Sequence, residues 1–266
     1  MKYKLIAVDI DGTLLDSNGT ITEVTKNAIK TAVDSGIVFV ICSGRSIQGV
    51  EYLNSELSLD LPFITYNGAM IVMGKSKEVL YEQRLSQNDA EIIIELGKKY
   101  ATTMIVWSDN KLYVSELNEK SFDYKKHANV EPVLKKNMEE LAKNGITKIL
   151  WYDDIEKIDY YEAAMGELLS DSVNYHTSKP MFLEFVDKNA SKAIAIEKLG
   201  DHLGIKSCEM IAIGDAFNDL SMIEYAGLGV AMGNAKQAIK EKADYVTSSN
   251  DEDGVANVIN KFILGQ

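Results

Sequence analysis

Two aspartates stand two residues apart in Val8-Asp9-Ile10-Asp11-Gly12-Thr13, directly behind the apolar run Leu5–Val8. Like charges that close oppose each other's ionisation, so the pair is a poor choice for stability and a good one for chemistry. Further along, Ser43-Gly44-Arg45 adds a hydroxyl, Lys192 an amine, and Gly214-Asp215-Ala216-Phe217-Asn218-Asp219 two more carboxylates and an amide. Asp9, Asp11, Asp215 and Asp219 are hard oxygen donors, which suit Mg²⁺ better than a softer metal. Ser43 and the Gly44 amide form the kind of corner that cradles phosphate oxygens, and Lys192 would place a positive charge beside them. A cation, an amine and amide donors around an anion describe phosphoryl transfer, where positioning and charge neutralisation carry most of the catalysis. A carboxylate next to the phosphorus can also attack it, giving an aspartyl-phosphate.

These residues must be brought together by the chain between them. Leu5–Val8, Ile37–Ile41 and Phe63–Thr65 are short apolar runs suited to buried parallel strands. Between them, Thr22 can cap a helix whose face is Val24, Ala28, Ile29, Ala32 and Val33, stopped by Gly36. Ile47, Val50, Leu53 and Leu57 recur at helical spacing. The same alternation returns at the end, with a helix over 191–203 and strands at Met210–Ile213, Gly229–Met232 and Tyr245–Thr247. The closing stripe Val255, Val258, Ile259, Phe262, Ile263 predicts a final helix. The whole reads as an α/β fold with a parallel sheet, and each chemical motif begins where a strand stops, the place where such sheets bind ligands. The middle changes rhythm: strand candidates at 78–83, 104–107, 111–115, 146–151 and 181–186, helices near 86–100 and 155–170, and a Ser108-Asp109-Asn110 hairpin turn. It predicts an inserted α+β domain over 84–187 inside a discontinuous core of 1–83 plus 188–266.

Composition narrows the partners. With 266 residues, 46% hydrophobic, the chain can bury a sizeable core. A net charge of -12 disfavours nucleic acid and anionic membranes, because the basic doublets Lys98-Lys99, Lys125-Lys126 and Lys135-Lys136 are isolated. No run approaches the roughly 20 apolar residues of a membrane span, and Asp9 cuts the leading apolar run short of a signal peptide. Two cysteines, Cys42 and Cys208, support neither a disulfide framework nor a thiolate site, which fits a reducing, cytoplasmic setting. His127, His176 and His202 are not spaced as ligand pairs.

Taken in order, Asp9-Ile10-Asp11-Gly12-Thr13, Ser43-Gly44-Arg45, Lys192 and Gly214-Asp215-Ala216-Phe217-Asn218-Asp219 resemble the four motifs of the haloacid dehalogenase (HAD) superfamily. The insert, together with Tyr66-Asn67-Gly68-Ala69, resembles the Cof-type subfamily with an α/β cap. The resemblance spans the chain and implies a Rossmann-like core, a mobile cap and a Mg²⁺-dependent phosphatase. It further implies that Asp9 is the nucleophile and Asp11 the general acid and base, with Ser43 and Lys192 on the phosphoryl group. Asp215 would hold the metal with the Asp9 side chain and the Asp11 carbonyl, while Asn218 and Asp219 complete the phosphate and metal shells. Its expected substrate is a small phosphorylated metabolite, sugar phosphates first, and the expected assembly a monomer or weak homodimer. Ser43 stands where the family often has Thr, and Ala193 where it often has Gly after the lysine.

Each motif taken singly has a plain reading: an Asp-x-Asp-Gly turn, a helix-capping Ser, a solvated Lys. Four in family order at strand ends do not. Several residues stay open. Arg45 contacts substrate or pairs with an acid, Asn67 is a candidate substrate contact, and Glu184 points to a cleft or outward from its strand. Trp107, Tyr113, Trp151 and Phe185 line a pocket or form the cap's own core, and Cys42 is a small filler sooner than a nucleophile. A phosphomutase using the same residues, or a non-catalytic phosphometabolite sensor, would share the motifs.

Overall fold

The computed structural model describes residues 2–265, with the His127 side chain, and so the reading of that histidine, outside the described set. The chain divides into two compact units. The first runs to Gly44, covers Val50–Tyr81 and resumes at Ser191; the second comprises Arg45–Gly49 and Glu82–Ala190. The insert thus spans Glu82–Ala190 where the sequence predicts 84–187, and Arg45–Gly49 groups with it.

The first unit is built on an eight-stranded sheet in the order Tyr245–Val246, Leu228–Ala231, Met210–Gly214, Leu5–Asp9, Val38–Cys42, Phe63–Thr65, Met70–Val72, Val79–Glu82. Pairing is parallel from Tyr245–Val246 through Phe63–Thr65, and Met70–Val72 returns antiparallel. Alternate residues of the central strands enter two separate cores, because side chains of a strand point to opposite faces. Ile6, Val8, Phe39, Ile41, Ile211 and Ile213 pack on one side with Ala28, Ile29 and Ala32 of the helix Glu23–Asp34. Leu5, Ala7, Val40, Ala212 and Met210 pack on the other with Ala195, Ile196 and Leu199 of the helix Lys192–Leu203. Both faces are thus covered, which is why these strands read as continuous apolar runs.

Thr22 caps the first helix by accepting from the Thr25 amide at 3.1 Å. Val24 is a correction: it is 53% exposed, and Thr25 takes the buried place. A second correction concerns Ile47, Val50, Leu53 and Leu57. All four are buried, but Ile47 lies on a 3₁₀ turn, Ile47–Gly49, Val50 just after it, and Leu53 and Leu57 on a short helix, Tyr52–Leu57, that Ser58 ends in a left-handed conformation. No α-helix starts at Ser43-Gly44. The closing stripe spans the helix Gly254–Ile259 and a π turn over Asn260–Leu264.

The second unit carries a six-stranded sheet, ordered Val173–Lys179, Phe182–Asp187, Lys148–Tyr152, Thr103–Ser108, Lys111–Val114, Val133–Leu134. Asp109 and Asn110 both take positive φ at the tight hairpin turn, as the Ser108-Asp109-Asn110 signal requires. One face, with Met104, Val106, Ile149, Trp151, Leu183 and Phe185, packs on the helices Gln87–Lys99, Glu139–Asn144 and Ile155–Leu168. Trp151 and Phe185 therefore belong to this unit's own core, their rings 4.7 Å apart. The helix Glu119–Ala128 also contributes, its Tyr124 hydroxyl accepting from Trp107 Nε1 at 3.1 Å.

Candidate active site

Asp9, Ser43 and Asp215 sit at or just beyond the carboxyl ends of three adjacent strands, Leu5–Asp9, Val38–Cys42 and Met210–Gly214. In register, Asp9 pairs with Cys42, and Ile213 with Val8, so the motif residues leave the sheet at one level. The chain after Asp9 turns at once: the Leu14 amide donates to the Asp9 carbonyl at 3.2 Å and the Leu15 amide to the Ile10 carbonyl at 3.0 Å. Gly12 makes that turn feasible. Its φ is +80°, and a methyl at its α-carbon would stand 2.6 Å from Asp215 Oδ2. The turn leaves Asp9 buried and Asp11 exposed, giving two neighbouring carboxylates different environments.

Lys192 enters this group from the start of the helix Lys192–Leu203. Ser191 caps that helix, accepting from the Ile194 amide at 3.2 Å, and so sets Lys192 as its first residue. The Lys192 ammonium, fully buried, donates to Asp9 Oδ1 and Asp219 Oδ1, each at 2.5 Å, and lies 3.4 Å from the Cys42 carbonyl oxygen. Asp219 is fixed on its other side, where Oδ2 accepts from the Asp215 and Ala216 amides at 3.0 Å each. Asp215 Oδ1 accepts from the Thr13 hydroxyl at 3.0 Å, tying the fourth motif to the first. Carboxylate oxygens of Asp9, Asp215 and Asp219 all lie within 4.8 Å of one another.

Burial pushes the Asp9 carboxyl up to about 8; Lys192 opposes the rise, and Asp219 and Asp215 add to it. For Lys192, burial alone would lower the value, but the Asp219 and Asp9 carboxylates outweigh it and hold the ammonium above its ordinary value. Asp215 is raised, first by burial, with the Thr13 hydrogen bond opposing. Burial pushes the Cys42 thiol up to about 12, which leaves it a filler in the apolar core, not a thiolate.

The donor set fits a hard divalent cation: three carboxylates, no nitrogen or sulfur ligand, within reach of one ion. Asp219 differs from the other two, since both its oxygens already accept from Lys192 or backbone amides. Ser43 is buried and its amide donates to the Ile64 carbonyl at 2.8 Å, while Gly44 is half-buried beside it. Asn218 is exposed, on the 3₁₀ turn Phe217–Asp219, and its Nδ2 donates to Asn67 Oδ1 at 3.1 Å.

The other open residues fall in three different surroundings. Asn67 is buried and adjoins Gly44 and Asn218. Arg45 belongs to the second unit, its Nη1 3.5 Å from the Gly49 carbonyl oxygen. Glu184 neither points outward nor stands free: it is buried in the second sheet, accepting from Lys148 Nζ at 3.0 Å and Ser178 Oγ at 2.9 Å. Asn234 escaped the sequence reading. Its Nδ2 donates to the Gly12 carbonyl at 2.8 Å and steadies the first turn; the Gly233-Asn234 pair after an apolar strand was the available signal.

The family model of haloacid dehalogenase-like hydrolases matches residues 6–259. The 5-amino-6-(5-phospho-D-ribitylamino)uracil phosphatase YcsE of Bacillus subtilis is 34% identical over 263 residues, covering 98% of this chain and 96% of its own. A haloacid dehalogenase-like hydrolase of Bacteroides thetaiotaomicron superposes with a TM-score of 0.88 at 32% identity, over 98% of this chain and 100% of its own. The subclass IIB sugar phosphatase BT4131 superposes with a TM-score of 0.81 at 26% identity, over 97% and 98%. The chain therefore belongs to the haloacid dehalogenase-like hydrolases, within their Cof-type, subclass IIB phosphatases, and is a phosphoric monoester hydrolase.

Proposed function

We propose that this phosphatase releases phosphate from small polyhydroxylated metabolites, sugar phosphates first, through a covalent phosphate on Asp9 and with Mg²⁺ bound. The observation that carries the reading is the buried Lys192 ammonium, 2.5 Å from Asp9 Oδ1 at the head of the sheet. It orients one carboxylate oxygen of a candidate nucleophile and supplies positive charge where phosphoryl oxygens would gather. Asp9 and Asp215 would hold the cation, because Asp219 is committed to Lys192 and to two amides. Mg²⁺ would supply charge neutralisation and keep Asp9 ionised despite its burial. Asp11, exposed two residues on, would protonate the leaving oxygen and then take a proton from the attacking water. Ser43, the Gly44 amide, Lys192 and Asn218 would hold the phosphoryl oxygens.

Two relatives support the substrate class. One is named for a phosphoribityl compound and the other as a sugar phosphatase, so both names describe a phosphate ester on a polyhydroxylated carbon chain. Phosphate release from a panel of such esters and from p-nitrophenyl phosphate, with Mg²⁺ and with EDTA, tests the reading. Asp9→Asn is expected to lose at least about 10³-fold in kcat. Wild-type turnover in that variant, full activity in EDTA, or conversion of a sugar 1-phosphate to an isomer without free phosphate would refute it.

A further inference from the structure

The turn Tyr66–Gly68, which follows the strand Phe63–Thr65, carries three consecutive positive φ angles: 52° at Tyr66, 57° at Asn67 and 101° at Gly68. A tyrosine in that region is an outlier, and left-handed backbone away from Gly persists only where the surroundings enforce it. All three residues are buried, and together they touch three of the four motifs. The Asn67 amide donates to the Ser43 carbonyl at 3.0 Å. Asn67 Oδ1 accepts from Asn218 Nδ2 at 3.1 Å. The Asn67 side chain also fills the space beside Gly44, where a methyl would stand 2.8 Å from Oδ1. At Gly68, a methyl would collide with the Ser191 carbonyl and the Lys192 amide, so the turn lies against the start of the Lys192 helix.

We propose that Asn67 is a positioning residue for the phosphate site, not a substrate contact: it locks the Ser43-Gly44 loop to Asn218, which lies 151 residues beyond Asn67 in the chain. The inference rests on the phosphatase reading above. An Asn amide has two N–H donors, and the bond to Asn67 consumes one of Asn218's while fixing the plane of the other. The contact with Gly44 holds that residue's amide at a set distance from the same plane. Asparagine suits the place because it tolerates left-handed backbone better than most side chains while carrying the acceptor that Asn218 needs.

The test uses the full chain with Mg²⁺, reading kcat and KM for p-nitrophenyl phosphate, the inhibition constant of inorganic phosphate, and Tm. Asn67→Gly keeps the left-handed backbone available and removes only the side chain. It is expected to move Tm by no more than about 3 °C, and to weaken phosphate inhibition and kcat/KM by about 10- to 100-fold, the scale of a misplacement of about 1 Å. Two double-mutant cycles then separate positioning from contact. With Asn218→Ala, and again with Gly44→Ala, the double variant should lose far less than the product of the two single losses, because both act on one arrangement. Gly44→Ala in particular should cost little further once Asn67 is Gly, since the methyl then has room. Losses that multiply in both cycles, an Asn67→Gly variant within twofold of wild type, or a Tm drop beyond about 10 °C would overturn the proposal. If wild type neither turns over the ester nor is bound by phosphate, the phosphatase reading falls and this inference with it. If wild type does both and the losses multiply, only the role of Asn67 falls.

Discussion

Lys192 lies between two carboxylates with no exposure to solvent, and that placement fixes what its loss should do. A surface lysine is worth little to stability, but removing one partner of a buried charge group leaves the others uncompensated. Lys192→Met is therefore expected to cost about 3–5 kcal/mol as well as activity, visible as a lower midpoint in urea. An inactive variant of unchanged stability would contradict that placement. Asp219 illustrates the same point from the other side. The resemblance puts it in the metal shell, and its oxygens also accept from Lys192 and from two backbone amides.

At the scale of elements, the strand Lys148–Tyr152 buries Lys148 against Glu184 of Phe182–Asp187. Burial alone would raise Glu184; Lys148, with His176 nearby, outweighs it and holds the carboxyl below its ordinary range. A carboxyl depressed on folding stabilises the protein above its unfolded value of about 4.3, and that contribution is lost as pH falls through the folded value. Lys148→Met should cost about 3–5 kcal/mol at neutral pH. In that variant the largest opposition to burial is gone and Glu184 rises, so its deficit against wild type should shrink as pH falls toward about 4. Replacing both residues by apolar ones should recover most of the loss, and a pH-independent deficit would contradict the assignment. This pair also shows where sequence legibility ends. The strands carrying the first, second and fourth motifs were readable because both their faces are apolar, and the Lys192 helix because Ser191 caps it. The helix Glu119–Ala128 was not, since its sequence is polar nearly all round; Asn118 and Ser121 form its capping box. Nor was the environment of Glu184, because pairing across strands 36 residues apart leaves no local trace. Asn67 was visible as a motif residue, while its bonds to Ser43 and Asn218 depend on a left-handed turn that composition does not announce.

Over the whole molecule, the two units have their own cores, one on either face of the eight-stranded sheet and one beneath the six-stranded sheet. Calorimetry should accordingly show more than one unfolding transition, with phosphate and Mg²⁺ raising the one that belongs to the first unit and Lys148→Met lowering the other. A single transition shifted equally by both would contradict that division. No helix among the described residues is long and apolar enough to cross a membrane. The catalytic claim itself concerns one atom pair, an Asp9 oxygen and phosphorus. Rapid acid quench of the enzyme with a labelled phosphate ester and Mg²⁺ tests it, followed by mapping of the label and treatment with hydroxylamine. Phosphate is expected on the peptide containing Asp9, released by hydroxylamine as an acyl-phosphate must be, and absent from Asp9→Asn. Turnover at the wild-type rate with no label on Asp9, or with label on another residue, would contradict it.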